Sequence, residues 1–166
     1  MDSQMVELVG RNWLVTELLR AGLEVARPER DRGIDLIVYS DLDHQMGDFI
    51  ACPIQLKAHS DRSFSVHKKY EKFRRLLLVH VWDLDRPSDT RAYALTYAES
   101  VGVAEAMEWT KTDSWKTGGR TGKPGYTTNR PSQELIRMLE PYLMTTEAWR
   151  AKINTIARMS ISGAAF

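Results

Sequence analysis

Three polar residues sit inside apolar runs of this 166-residue chain. Asp35 lies in Ile34-Asp35-Leu36-Ile37-Val38, and Gln55 and Lys57 lie in Ile54-Gln55-Leu56-Lys57. A carboxylate and a lysine within apolar strands are costly unless they meet a partner or a metal. Side chains two apart on a strand share a face, so Gln55 and Lys57 point one way while Ile54 and Leu56 point into the opposite layer. Twenty residues separate Asp35 from Gln55, enough for one strand, a connection and a return. On neighbouring strands the three polar groups converge.

The elements that must position them follow from local signals. Residues 5–21 carry helix formers with no internal Pro and stop at Gly22, the residue type favoured just past a helix end. Leu23 to Ala26 reads as a short strand. Ile34 to Tyr39 is β-branched and aromatic between turn residues, a strand, and Phe49 to His59 is a second, antiparallel to it across a hairpin. Pro53 inside that strand calls for a bulge or an edge position. Val66 to Arg75 is basic and holds a short helix. Leu76 to Trp82 is the nearly continuous apolar run of a strand buried on both faces. Ala92 to Tyr97 reads as a strand, Glu99 to Glu108 as a helix, and residues 109–130 as a long loop. Leu135, Leu139, Tyr142 and Leu143 mark one face of a helix that Pro141 bends, and Thr146 caps a last helix through about Met159. The sum is an α/β domain with a mixed sheet.

Gly33-Ile34-Asp35-Leu36-Ile37-Val38 followed by Ile54-Gln55-Leu56-Lys57 resembles the PD-(D/E)XK nuclease superfamily, the restriction-endonuclease-like fold. The preceding segment through Leu18-Leu19-Arg20-Ala21-Gly22-Leu23-Glu24-Val25 and the later strand Leu76 to Trp82 fit the same order of elements, so the likeness spans roughly residues 5–82. It is closest to small prokaryotic members in which Gln replaces the second acidic residue. The resemblance implies a single domain over residues 1–166, with an αβββαβ core over about 5–97, a mixed central sheet flanked by helices, and a C-terminal helical extension over about 131–160. It also implies a divalent cation, Mg²⁺ or Mn²⁺, held by Asp35, Gln55 and the carbonyl of Leu56, with Lys57 orienting or activating the attacking water. The family often adds a glutamate from the first helix. Arg11 stands nearest that position, and Glu7, one turn earlier in the angular sector of Leu14 and Leu18, is the candidate ligand. Alone, Asp35 could instead cap the turn after Gly33, and Glu7 could be an exposed helix charge.

Net charge is +1, from 23 Lys and Arg against 22 Asp and Glu, which taken alone speaks against a nucleic-acid partner. Placement changes that. Residues 67–75 hold Lys68, Lys69, Lys72, Arg74 and Arg75 against Glu71, and residues 111–130 hold Lys111, Lys116, Arg120, Lys123 and Arg130 against Asp113. The second stretch carries Trp115 and Tyr126, the mixture of cations and rings used on nucleic-acid strands. Lys68, Lys69, Lys111, Trp115, Lys116, Arg120 and Lys123 are therefore the candidate DNA contacts; the competing reading is a solvated loop whose aromatics cap the core.

Other patterns fail. The run from Asp41 to Cys52 misplaces the glycine of a calcium loop and ends on Cys rather than Glu. Gly118 to Lys123 has the wrong spacing for a phosphate loop, and Pro124 follows the lysine. Cys52 and His59 are too weak a pair to propose as nucleophile and base, and one cysteine makes no internal disulfide. With no membrane-length apolar run and no secretory leader, the expected setting is the cytoplasm. The expected function is a Mg²⁺-dependent nuclease acting on DNA, possible as a homodimer. The alternatives are a catalytically weak or inactive relative serving as a nucleic-acid-binding or regulatory module, and a partner-binding protein.

Overall fold

The computed structural model describes residues 1–30, 32–40 and 51–159. The hairpin connection from Asp41 to Gly47, the expected strand start at Phe49 and most of the calcium-loop segment lie outside them.

Helix α1 spans Ser3–Arg20; the Asp2 side chain accepts the Met5 N–H at its start. Five strands form one mixed sheet: β1 (Leu23–Ala26), β2 (Leu36–Ser40), β3 (Ala51–Ala58), β5 (Leu77–Trp82) and β6 (Arg91–Thr96), in the order β1-β2-β3-β5-β6. All pairs are antiparallel except β3 with β5. Two short strands, β4 (Phe64–His67) and β7 (Gly125–Thr128), form a separate antiparallel ribbon. Helices α2 (Tyr97–Ala106), α3 (Asp113–Thr117), α4 (Gln133–Leu139) and α5 (Thr146–Arg158) complete the chain.

The sheet is covered on both sides, as the alternation of β3 and the all-buried β5 require. Leu36, Val38, Ile54, Leu56, Val79 and Val81 pack against Leu14 and Leu18 of α1 and Trp149 and Ile153 of α5. On the other face Trp82, Tyr93 and Leu95 pack with Phe64 and Val66 of β4, Val103 of α2 and Leu135 and Leu139 of α4. Gly10 lets α1 approach β3: a Cβ there would stand 2.5 Å from the Ala58 Cβ.

Several expectations are corrected. The short helix in the basic segment is a single 3-10 turn, Lys68–Tyr70, preceded by β4. The crossover between the parallel strands β3 and β5 therefore carries β4 and this turn in place of a helix. Residues 109–130 are not a structureless loop: they hold α3, two 3-10 turns and β7. Four-residue strands paired across 60 residues leave no local periodicity to read. Gly125 is needed there, because at φ 152° a Cβ would meet the Val66 carbonyl oxygen at 2.4 Å. Thr145, not Thr146, caps the last helix, accepting the Ala148 N–H at 3.2 Å. Pro53 sits in a central strand, but β5 begins opposite Ile54, so its missing N–H costs no bond to β5. After β5, Asp83 is fully buried at φ 61° and is held by Arg62 at 2.9 Å and by Arg86, with Arg91 at 3.8 Å. Among the described residues no helix is long and apolar enough to cross a membrane.

Candidate functional site

The register Leu36↔Ile54 places Asp35, just before β2, across from Gln55. The Asp35 backbone N–H donates to the Ile54 carbonyl at 2.8 Å. Their side chains touch: Gln55 Nε2 donates to Asp35 Oδ2 at 2.5 Å, and the same oxygen accepts the Leu56 N–H at 2.6 Å. The carboxylate thus serves as acceptor for a β3 amide where the β2 ladder ends, and so caps the end of a strand. Gln55 Nε2 also lies 3.4 Å from the Leu56 carbonyl, between two of the oxygens expected to hold a cation.

Lys57 shares the Gln55 face and is half-buried, its Nζ 5.7 Å from the centroid of the Tyr70 ring. Tyr70, a residue with no signal in the sequence, is buried and donates its hydroxyl to Gln55 Oε1 at 3.3 Å. The Leu56 side chain points to the α1 layer. Glu7 is exposed and makes its ion pair with Arg11 at 2.5 Å, on a helix whose buried residues pack against that same Leu56 layer. The structure brings together Asp35, Gln55, Leu56, Lys57 and Tyr70, and gives Glu7 a different partner.

The expected ligand atoms, from Asp35, the Gln55 carboxamide and the Leu56 carbonyl, are oxygens and suit a hard divalent cation in kind, but Gln55 turns its nitrogen, not its oxygen, toward Asp35. Asp35 is the one carboxylate among them, and among the described residues no group of three or more His, Cys, Asp or Glu side chains is placed to hold a metal. The fit is to a weakly held ion.

No family model matches the chain. No curated protein and no solved structure matches it either. Its chemistry must be argued from its own residues.

Three of the four histidines, scattered in sequence, gather beside Lys57. His80 is its register partner on β5, and His59 stacks on His80 with ring centroids 6.4 Å apart. His80 is wholly buried against Phe64, and neither ring nitrogen has a hydrogen-bond partner among the described residues. Burial, with His59 and Lys57 adding to it, pushes its pKa down to about 3. Burial and then Lys57 push His59 down to about 4. Half-buried His67 is also lowered, by burial first and then by Lys57, Lys69 and Lys123. These imidazoles are neutral at pH 7. The Cys52 thiol is pushed up to about 12 by burial and is no nucleophile.

The two basic segments meet. The Lys68 N–H donates to the Pro124 carbonyl at 3.0 Å, next to Lys123. Lys57, Lys69 and Lys123 all act electrostatically on His67. Lys69 Nζ lies 4.8 Å from the Tyr70 ring centroid. Trp115, expected to stack on bases, is buried, with Lys68 Nζ 5.8 Å from its ring centroid; its neighbour Trp109 is buried too and stacks on Tyr126 at 4.4 Å. These rings serve the core. Lys111 is paired with Glu108, just outside the window in which its charge was counted. Lys116 and Arg120 are exposed. If Lys68, Lys69 and Lys123 each contact a phosphate, changing all three to Ala lowers the salt slope of DNA binding by about 3, at ~0.9 per contact. A filter-binding titration across salt concentrations would show it, and an unchanged slope removes these lysines from the interface.

Proposed function

We propose that this chain is a divalent-cation-dependent nuclease hydrolysing DNA phosphodiester bonds, on a restriction-endonuclease-like plan in which a short strand and a 3-10 turn replace the expected crossover helix. The observation that carries this reading is the direct Asp35–Gln55 contact at 2.5 Å, with Lys57 on the same face of the sheet. Asp35, the Gln55 carboxamide oxygen and the Leu56 carbonyl would hold Mg²⁺ or Mn²⁺, which when bound supplies Lewis acidity toward the phosphate and a more acidic water. The Lys57 ammonium orients that water by hydrogen bonding and stabilises charge developing on the phosphoryl oxygens. Lys68, Lys69 and Lys123 neutralise flanking phosphates and hold the backbone in register.

A second reading has its own support. Among the described residues the carboxylate at the site is that of Asp35, and it already accepts two hydrogen bonds from β3, from Gln55 Nε2 and the Leu56 N–H. This favours a nucleic-acid-binding module that keeps the constellation for its fold. Supercoiled, linear and branched DNA incubated with wild type and Lys57→Ala, in Mg²⁺, Mn²⁺ or EDTA, separates the two. Cation-dependent products that vanish in Lys57→Ala support the nuclease. Products indifferent to Lys57→Ala defeat it, and binding without cleavage selects the module.

A further inference from the structure

Trp115 and Tyr126, the rings that accompany the second basic stretch, are held by the core: Trp115 is buried and Tyr126 stacks on Trp109. Another ring is left outside. Residues 71–75 are all exposed between buried Tyr70 and Leu76. Phe73 stands in the middle of them, 41% exposed, the one exposed aromatic among the described residues. Two turns hold its backbone: its N–H donates to the Tyr70 carbonyl at 2.9 Å, and its carbonyl accepts the Leu76 N–H at 3.3 Å. A single exposed apolar side chain is ordinary; the company of this one is not. Lys72, Arg74 and Arg75 adjoin it, against Glu71 alone. Lys72 Nζ lies 5.1 Å from the ring centroid. The same lysine, with Lys68, Lys69 and Glu71, lines an open cleft of about 390 Å³.

We infer that Phe73 is a stacking platform for an unpaired base, so that the DNA this chain takes carries a single-stranded stretch beside the bound phosphates. This rests on DNA as the ligand, the premise common to both readings above. Within a duplex the grooves show only base edges, the faces being stacked on their neighbours. A single strand, flap or gap presents a free face, and every base has one, so the contact needs no particular sequence. The cations around the ring meet the phosphates on either side of that base. An exposed cation–π contact is weak, so Lys72 can leave the ring for a phosphate as a base takes its place. Tyr70, three residues earlier, donates to Gln55 and lies beside Lys57. The platform thus belongs to the segment that reaches the proposed cutting face.

The test measures DNA binding in EDTA, where cleavage plays no part. Fluorescence anisotropy follows a single-stranded oligonucleotide, the duplex of the same length and a duplex with a single-stranded flap, each titrated with wild type, Phe73→Ala, Phe73→Leu and Phe73→Trp. Phe73→Ala and Phe73→Leu are expected to bind the single strand and the flap about tenfold more weakly, the scale of one base–aromatic stack, and the duplex as wild type does. Their salt slopes stay unchanged, because no cation is lost. Phe73→Trp, which keeps a ring, retains single-strand affinity. Equal weakening on duplex and single strand overturns the inference, as does no weakening on either. Full single-strand affinity in Phe73→Leu overturns it too, since apolar contact then suffices without a ring. Phe73→Ala that loses binding to phosphatidylserine vesicles while keeping its oligonucleotide affinities assigns the ring to a membrane surface and overturns it as well. A wild type that binds none of the three DNAs overturns this inference and the DNA reading together.

Discussion

On the nuclease reading, Asp35→Asn is expected to lose Mg²⁺-dependent cleavage by about a thousandfold, near 4 kcal/mol in transition-state terms, while melting within a few degrees of wild type. The carboxylate oxygen that accepts the Leu56 N–H at 2.6 Å is replaced by an amide oxygen able to accept the same bond. The strand cap therefore survives. What goes is the one negative charge in the donor set, and a neutral amide is a poor substitute for it toward a hard cation. Asp35→Ala mixes the two effects, since it also leaves the Leu56 N–H without this acceptor, at a cost of about 1–3 kcal/mol. The asparagine variant separates chemistry from architecture. Cleavage assays and thermal melts on the same preparation read both. If cleavage persists in Asp35→Asn, Asp35 is a strand cap and nothing more.

The second large effect is on acid stability. His80 sits fully buried beside Lys57 and His59, and its pKa is held at about 3 against an ordinary 6.5. The unfolded chain takes up this proton as pH falls through 6.5, whereas the folded chain resists it until about 3. The unfolded state therefore binds more protons throughout that window. The stabilisation is complete above about 6.5 and is lost progressively on the way down to 3. At pH 4.5, two units below the ordinary value, this one group removes about 3 kcal/mol. Urea denaturation of wild type at pH 7 and pH 4.5 should show the drop, and His80→Leu should show a drop smaller by about that amount. Parallel losses in the two proteins would mean that the buried imidazole does not govern acid sensitivity.

The meeting of Asp35 with Gln55 was legible because strand periodicity and antiparallel pairing fix it: a register pairing Leu36 with Ile54 leaves no choice for Asp35 and Gln55. The sheet's longer strands, β2, β3, β5 and β6, were legible for the same reason, being long enough to show alternation or unbroken burial, and four-residue β1 was marked by the Gly22 helix stop before it and Pro28 after it. Tyr70 was not, because its bond to Gln55 spans 15 residues and passes through a crossover whose path no local pattern encodes. The three histidines gather through the parallel register Lys57↔His80 and the ribbon, neither of which has a spacing signature. Trp115 was misread because a tryptophan among lysines has the same composition whether it caps a core or meets a base. Glu7 shares its helical sector with buried leucines, but it lies a full turn before Gly10, and its carboxylate stays with Arg11.

The crossover gives the molecule a ruler. Gln55 and Lys57, the proposed cutting point, and Lys68 and Lys69, the proposed grip on the neighbouring backbone, belong to one short covalent stretch pinned at one end by β5 and at the other by the ribbon. Because both ends are pinned by strand pairing, one residue added between Lys57 and Phe64 would be taken up within the connection and would leave the spacing from Lys57 to Lys68 unchanged. On the nuclease reading, these two pairings, more than the length of the connection, would then decide which phosphate is presented to Asp35.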